Sequence, residues 1–322
     1  MWKEDFIKLL FPANVDEINL DKALEIKYKN IPSSLYKYKK FDAEGHSIEI
    51  IEQDKIFLST ANNLNDPYDS AVSLNPQSNY FEAKWDDLMN NLKSRNRFAI
   101  EDIAALNALK YDDQFIYMTA LYLLNKNPKV AKGKPAEIIA KEISDIMLKR
   151  FEAIVIRLSE AIRKNTYITC FSEDNSSILM WSHYGDNHKG FCIEYDFSKL
   201  SPSEVSSRML FPVIYRQKLF DATRYSSKIR GGEFNNYFGV LAAMTKAIEW
   251  SYEKEWRFIL PMGEVNELLY LFPPSPAKIY LGANTSEENT KIVLDIAQRK
   301  NIEVHKMLMK TYEFSLTSKR IF

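Results

Sequence analysis

Two glutamates two residues apart, Glu253 and Glu255, stand in the stretch Trp250-Ser-Tyr-Glu-Lys-Glu-Trp-Arg-Phe-Ile-Leu260. From Tyr252 the residues alternate. Tyr252, Lys254, Trp256 and Phe258 share one face, and Glu253, Glu255, Arg257 and Ile259 the other, which predicts a strand with both carboxylates side by side. Closely held carboxylates repel and push one pKa up, as a site that moves a proton or steadies a positive charge requires. A solvated strand edge balanced by Lys254 and Arg257 carries the same residues. In Asn65-Asp66-Pro67 the proline holds Asp66 extended, so the segment reads either as a turn or as two polar groups, Asn65 and Asp66, at a pocket rim. His183, next to Tyr184, is read either as packed and hydrogen-bonded or as a proton-transfer group.

Other chemistries find less. His183 and His188 are five apart across a glycine and do not share a helical face, so no metal site is expected. There is no GxxxxGK[ST], no GxGxxG and no serine-hydrolase elbow. A metal-dependent nuclease of the Asp…Glu-x-Lys type finds only Glu25-Ile26-Lys27, on a predicted helix without a preceding strand acid. Cys170 and Cys192 lack CxxC spacing and read as buried thiols in a reducing compartment.

The elements that must position these residues follow from periodicity. Residues 1–32 have helical spacing and predict an N-terminal helical arm. Leu35 to Lys39 and Lys55 to Thr60 predict strands, with a helix over 46–53 between them. Residues 78–164 are apolar at helical spacing and predict a helical insertion. Tyr167 to Glu173 predicts a strand, followed by a short helix from Ile178 to Tyr184, stopped at Gly185. Further strands are expected over Phe191 to Asp196, Val213 to Tyr215, Lys278 to Gly282 and Glu303 to Met309. Helices are expected over Tyr237 to Glu249 and 287–300. Gly231-Gly232 marks a candidate mobile loop. The sum is a single α+β domain over 1–322 with a compact mixed or antiparallel sheet.

With 43 basic and 43 acidic residues the chain has no net charge, which excludes a strongly basic nucleic-acid binder but not a local patch. Acids at Glu4 and Asp5 argue against a signal peptide. No apolar run approaches the ~18 residues of a membrane span. A soluble, cytoplasmic protein with no membrane partner is expected.

Five ordered segments, Leu35-Tyr36-Lys37-Tyr38, Asn65-Asp66-Pro67-Tyr68-Asp69, Cys170-Phe171-Ser172-Glu173, Met180-Trp181-Ser182-His183-Tyr184 through Phe191, and Trp250 through Arg257, resemble a bacterial family catalogued as a domain of unknown function. The order of elements is also similar to that of ADP-ribosyltransferases. In those a first strand grips NAD, a second ends in a Ser- or Tyr-bearing motif before a helix, and a third opens with Glu-x-Glu. This resemblance implies a split sheet, NAD as substrate, and a macromolecular acceptor, protein or nucleic acid. It implies Glu255 as the carboxylate that stabilises the oxocarbenium-like ribose, and Glu253 as the group that orients or deprotonates the acceptor. Tyr36, Lys37, Ser172, Trp181, His183, Tyr184 and Arg257 would hold the dinucleotide, Lys37 or Lys39 with Arg257 at the pyrophosphate and Trp181 or Tyr184 on the nicotinamide. Lys37 stands where those enzymes carry Arg or His. A toxin or phage-defence effector, with an antitoxin or other partner protein, fits the resemblance. A non-enzymatic ligand-sensing or interaction module is the alternative from another class.

Overall fold

A computed structural model of the chain describes residues 2–75, 101, 104–105, 108, 115–126, 133–225 and 235–322. The chain divides into two compact units. One comprises Met1–Ala71, Ala161–Phe220 and Asn235–Phe322, the other Val72–Glu160 and Asp221–Phe234. In the second unit lie the helix Phe115–Lys126 and most of the helix Ala136–Asn165, whose last turn enters the first unit. Much of the expected insertion, and the Gly231-Gly232 loop, lie outside the described residues. No described helix is long and apolar enough to cross a membrane.

The first unit is α+β. Its main strands are β1 (Ser34–Lys39), β2 (Ser59–Thr60), β3 (Thr166–Ser172), β4 (Phe191–Asp196), β5 (Leu210–Pro212), β6 (Ile214–Arg216), β7 (Thr245–Ala247), β8 (Glu255–Pro261), β9 (Pro276–Leu281), β10 (Glu303–Met309) and β11 (Leu316–Arg320). Ile56–Phe57 and Tyr270–Leu271 pair as a further ribbon, so the strand expected over Lys55 to Thr60 is split. Nine of the main strands form one mixed, mostly antiparallel sheet in the order β11-β10-β9-β4-β1-β3-β8-β5, with β2 added on β3. Only β9 and β10 run parallel within it, joined by the amphipathic helix Glu287–Lys300 as a crossover. β6 and β7 pair in parallel as a separate ribbon.

Alternation decides which side chains each face receives. One face is mostly apolar: Leu35, Phe171, Ile193, Trp256 and Ile279 pack with Val293 and Ile296 of the crossover helix, and Lys37 and Thr169 on the same side bond to each other. The other face carries two separate clusters. The N-terminal segment and the helix Phe238–Met244 cover Ile168, Phe211 and Ile259, so the expected arm is helical but built into the core through fully buried Phe6, Phe11 and Ala23. The short helix Ile178–His183 covers Tyr38, Cys192 and Tyr280.

Between the clusters the sheet is nearly open. All six residues of β1 pair with β4, yet β1 meets β3 in a single register pair, Tyr36 with Ser172. The helix Ile178–His183 is joined to β4 by Asp186, Asn187 and His188, three consecutive residues with φ of 48°, 53° and 66°. A left-handed turn of L-residues is unfavourable by about 1–2 kcal/mol per residue. Bonds from Asn187 N to Ser182 O, His188 N to Trp181 O and Gly190 N to Gly185 O offset that strain. Gly190 lies so close to β1 that a Cβ there would sit 2.1 Å from Lys39 O.

Two expected boundaries are corrected. The strand of the glutamate pair begins at Glu255, because Ile248–Glu253 is a 3₁₀ helix closed by Lys254 at φ 45°. The helix expected to reach Glu249 ends at Met244 and is followed by β7.

Candidate functional site

The register places Glu255 opposite Ser172 and Ser172 opposite Tyr36, with Arg257 opposite Cys170. Directly opposed residues of antiparallel strands project to the same side. Tyr36, Ser172 and Glu255 therefore form a row across three strands on the face between the two clusters. A cavity of about 230 Å³ lies over this row. Tyr184, Lys246, Glu253, Asn65 and Asp69 complete its polar wall, and Lys37 and Lys39 line it from β1.

The glutamates do converge, by a route other than strand alternation. The left-handed residue Lys254 turns the chain between them, and both carboxylates reach one ammonium. Lys246 Nζ donates to Glu253 Oε2 and, at 3.1 Å, to Glu255 Oε2. Arg257 donates from Nε and Nη2 to Glu255, at 2.8 and 3.1 Å, and from Nη1 and Nη2 to Asp69, at 2.7 and 2.6 Å. Its Nη1 also donates to Ala243 O. Tyr184 OH donates to Glu253 Oε1 at 2.6 Å and accepts from Asn65 Nδ2. Glu253, Glu255, Lys246, Asp69 and Arg257 are all buried. A glutamate pair at a solvated edge is thereby excluded.

Burial and the neighbouring charges push the two glutamates apart. Burial and the adjacent Glu255 raise Glu253 to about 7, against the pull of Lys246 and Tyr184. Burial also pushes Glu255 up, but Arg257 and Lys246 outweigh it and hold this carboxyl well below the usual range. Burial lowers Lys246, but Glu255 and Glu253 together more than reverse that. Two cations then face the carboxylates of Asp69 and Glu255, while Glu253 gains or loses a proton near neutrality. Such separated carboxyls provide an ionised group and an acid–base group at one pH.

The remaining expected residues fall on both sides of the line. Lys37 lines the cavity, with Nζ donating to Thr169 Oγ1 at 2.6 Å and to Cys170 O at 3.0 Å, and burial lowers it to about 7. Ser172 Oγ donates to Glu253 O at 2.6 Å and accepts from Asp174 N, so it fixes the turn that presents Glu253. Tyr36 lines the cavity, with its ring edge-on to Tyr280. Arg257 has its fork closed on Asp69 and Glu255, and so is a framework cation rather than a pyrophosphate clamp. Trp181 is corrected from ligand contact to core: it is fully buried, edge-on to Tyr38, with Nε1 donating to Asn175 O. His183 is exposed and bonded through Nδ1 to Tyr252 OH, outside the cavity lining. Asp66 is buried and accepts from Tyr68 N, so the turn reading holds for it, while Asn65 reaches the cavity.

Lys246 and the role of Asp69 are absent from the sequence reading. Lys246 had a signal, as the sole charge in the run Phe238 to Ile248, because a lysine inside an apolar run must find a partner. Asp69 had none beyond its place in a turn-rich loop.

Residues 180–258 match the model of a family described as protein of unknown function (DUF2971). That window holds Tyr184, Lys246, Glu253, Glu255 and Arg257, whereas Tyr36, Asp69 and Ser172 lie upstream of it. No curated protein and no solved structure matches the chain.

Proposed function

We propose that the cavity binds NAD by its nicotinamide–ribose half and that the protein transfers ADP-ribose to a macromolecular acceptor. The observation that carries this reading is the pair Glu253 and Glu255, joined by Lys246 and driven to opposite protonation behaviour at the base of one cavity. Breaking the nicotinamide–ribose bond leaves its electron pair on the nicotinamide nitrogen, which departs neutral, and puts positive charge on the sugar. An ionised carboxylate held in a low-dielectric site stabilises that charge, the role of Glu255. The acceptor nucleophile forms the new bond to the ribose carbon and gives its proton to Glu253, whose pKa near 7 suits a general base.

The residues fit NAD in part. The cavity of about 230 Å³ is below the about 300–1,000 Å³ usual for a drug-sized ligand, so it takes one nucleoside-sized half, with the remainder along its mouth. Of Trp181 and Tyr184, Tyr184 lines the cavity and, with Tyr36, provides the aromatic surface for the nicotinamide. Lys39, with Lys37, is the cation left for the pyrophosphate, since Arg257 is closed on carboxylates. The reading takes the protein as acting in the cytoplasm, where Cys170 and Cys192 stay reduced. It fits a toxin or phage-defence effector, for which an antitoxin would be a protein that blocks the cavity mouth.

One observation favours a second reading, a non-enzymatic ligand-sensing module. Glu255 is only 5% exposed and both of its oxygens are bonded to cations, as a purely structural carboxylate would be. A metal-dependent nuclease gains nothing at this site, because the cavity carboxylates are taken up by Lys246 and Arg257. Among the described residues the cluster with ligand spacing is Asp42, Glu44 and His46, outside the cavity.

The test is incubation with NAD labelled separately in nicotinamide and adenylate, with and without cell extract. Release of nicotinamide and transfer of adenylate label, both lost in Glu255→Gln, are expected. Thermal stabilisation by NAD without nicotinamide release under any acceptor would leave the sensing module instead.

A further inference from the structure

A second cavity, of about 220 Å³, shares walls with the first. Lys246 lines both cavities. The loop after β2 also serves both, with Asn65 and Asp69 in the first and Tyr68 and Ala71 in the second. The second cavity is completed by the chain leaving β6, Arg216 to Leu219, and by Thr245 and Ala247 of β7. A transferase needs two such adjoining spaces, one for the donor and one for the group that attacks it. We infer that this second cavity is the acceptor subsite and that it takes a base of a single-stranded nucleic acid; the assignment of an acceptor rests on the transferase reading, whereas the ligand class rests on the cavity itself.

The chemistry of the lining selects that class. No carboxylate lines the cavity, while the cationic Arg216 and Lys218 are exposed at its rim. Tyr68 is 66% exposed beside them, and its ring offers the flat surface on which a base stacks. Single strands are held by this combination of an aromatic platform and cations along the backbone. A basic protein side chain would be repelled by the same rim, and an acidic peptide has no use for the ring. Arg216 is engaged by Glu4, so Lys218 is the residue to vary. The chain has no net charge, and a patch this small leaves that balance intact.

The full-length protein is titrated with fluorescein-labelled single-stranded DNA and RNA of one sequence, and with an acidic peptide, by anisotropy at several salt concentrations. Binding of a nucleic acid is expected, with Lys218→Glu and Tyr68→Ala each weakening it about tenfold or more, and with a salt slope reduced by about one unit in Lys218→Ala. Nicotinamide release without acceptor should be unchanged in these variants, while label transfer to the oligonucleotide falls with binding. Equal binding by wild type and both variants, or preference for the peptide, overturns the inference. If wild type releases no nicotinamide but binds the oligonucleotide through Lys218 and Tyr68, the transferase reading fails and the nucleic-acid cavity stands.

Discussion

Arg257 and Asp69, 188 residues apart in the chain, meet through two parallel hydrogen bonds of 2.7 and 2.6 Å. Both side chains are 1% exposed. This pair ties the loop after β2 to the strand that carries Glu255, and so fixes one wall of the cavity. Burial alone would disfavour a charged Arg257, but Asp69 and Glu255 reverse that and raise its pKa further.

Breaking one side of such a pair strands a buried charge. Asp69→Asn or Arg257→Met should destabilise the protein by about 3–5 kcal/mol, seen as a lower urea midpoint. A loss below 1 kcal/mol would mean that the pair is hydrated in solution.

The glutamates should separate in kinetics. Glu255→Gln should lower nicotinamide release about 10²–10³-fold, because the amide cannot balance charge on the ribose. Glu253→Gln should lower transfer to acceptor more than it lowers nicotinamide release. Equal losses in both assays for both variants would remove the division of roles.

Transfer should rise with pH through about 7, since Glu253 must be ionised to take a proton and its pKa is raised to that value. Tyr184 donates a hydrogen bond that favours the ionised form. Tyr184→Phe should therefore move the midpoint to higher pH, and a pH–rate profile with an unmoved midpoint would count against Glu253 as the base.

Stability should also depend on pH through Lys27, which is buried with Nζ bonded to Ser207 O and Arg208 O. Burial lowers it from 10.5 to about 7 in the folded protein. Between those values the unfolded chain binds the extra proton, so stability rises with pH, by up to about 1.4 kcal/mol per unit for this group. Lys37, lowered likewise, adds in the same direction. Urea unfolding at pH 7, 8 and 9 should show the rise, and Lys27→Met should flatten part of it.

Trp181 and His183 are neighbours with opposite fates. Trp181→Ala should cost about 3–5 kcal/mol of stability through loss of core packing. His183→Ala, at an exposed position, should change neither stability nor nicotinamide release by more than about twofold. Calorimetry and the release assay check both.

Much of this was legible before the fold was known. Alternation located the strands at Leu35, Tyr167 and Phe191, whereas the register that lines up Tyr36, Ser172 and Glu255 is set by strand pairing. It misplaced the start of the last strand, because Tyr252 to Arg257 alternates in type whether or not Lys254 adopts a left-handed backbone. Lys246 was missed because a three-residue strand has no period to detect. The pairing of β7 with β6 is a tertiary event, and the apolar run before it continues as helix on propensity alone. Trp181 and Tyr184 are three apart on one short segment, and which of them turns inward depends on the cluster around Tyr38.

Asp186, Asn187 and His188 together make a reversal that has no spare slack. Adding or removing one residue there would rotate every following side chain of β4 to the wrong side of the sheet and break the contact of Gly190 with Lys39. Residue types in this turn can therefore drift more freely than residue number. Among proteins that share the architecture, the distance along the chain from Trp181 to Phe191 is expected to be the more faithful signature, and a search that counts positions should find remote kin that a search by composition passes over.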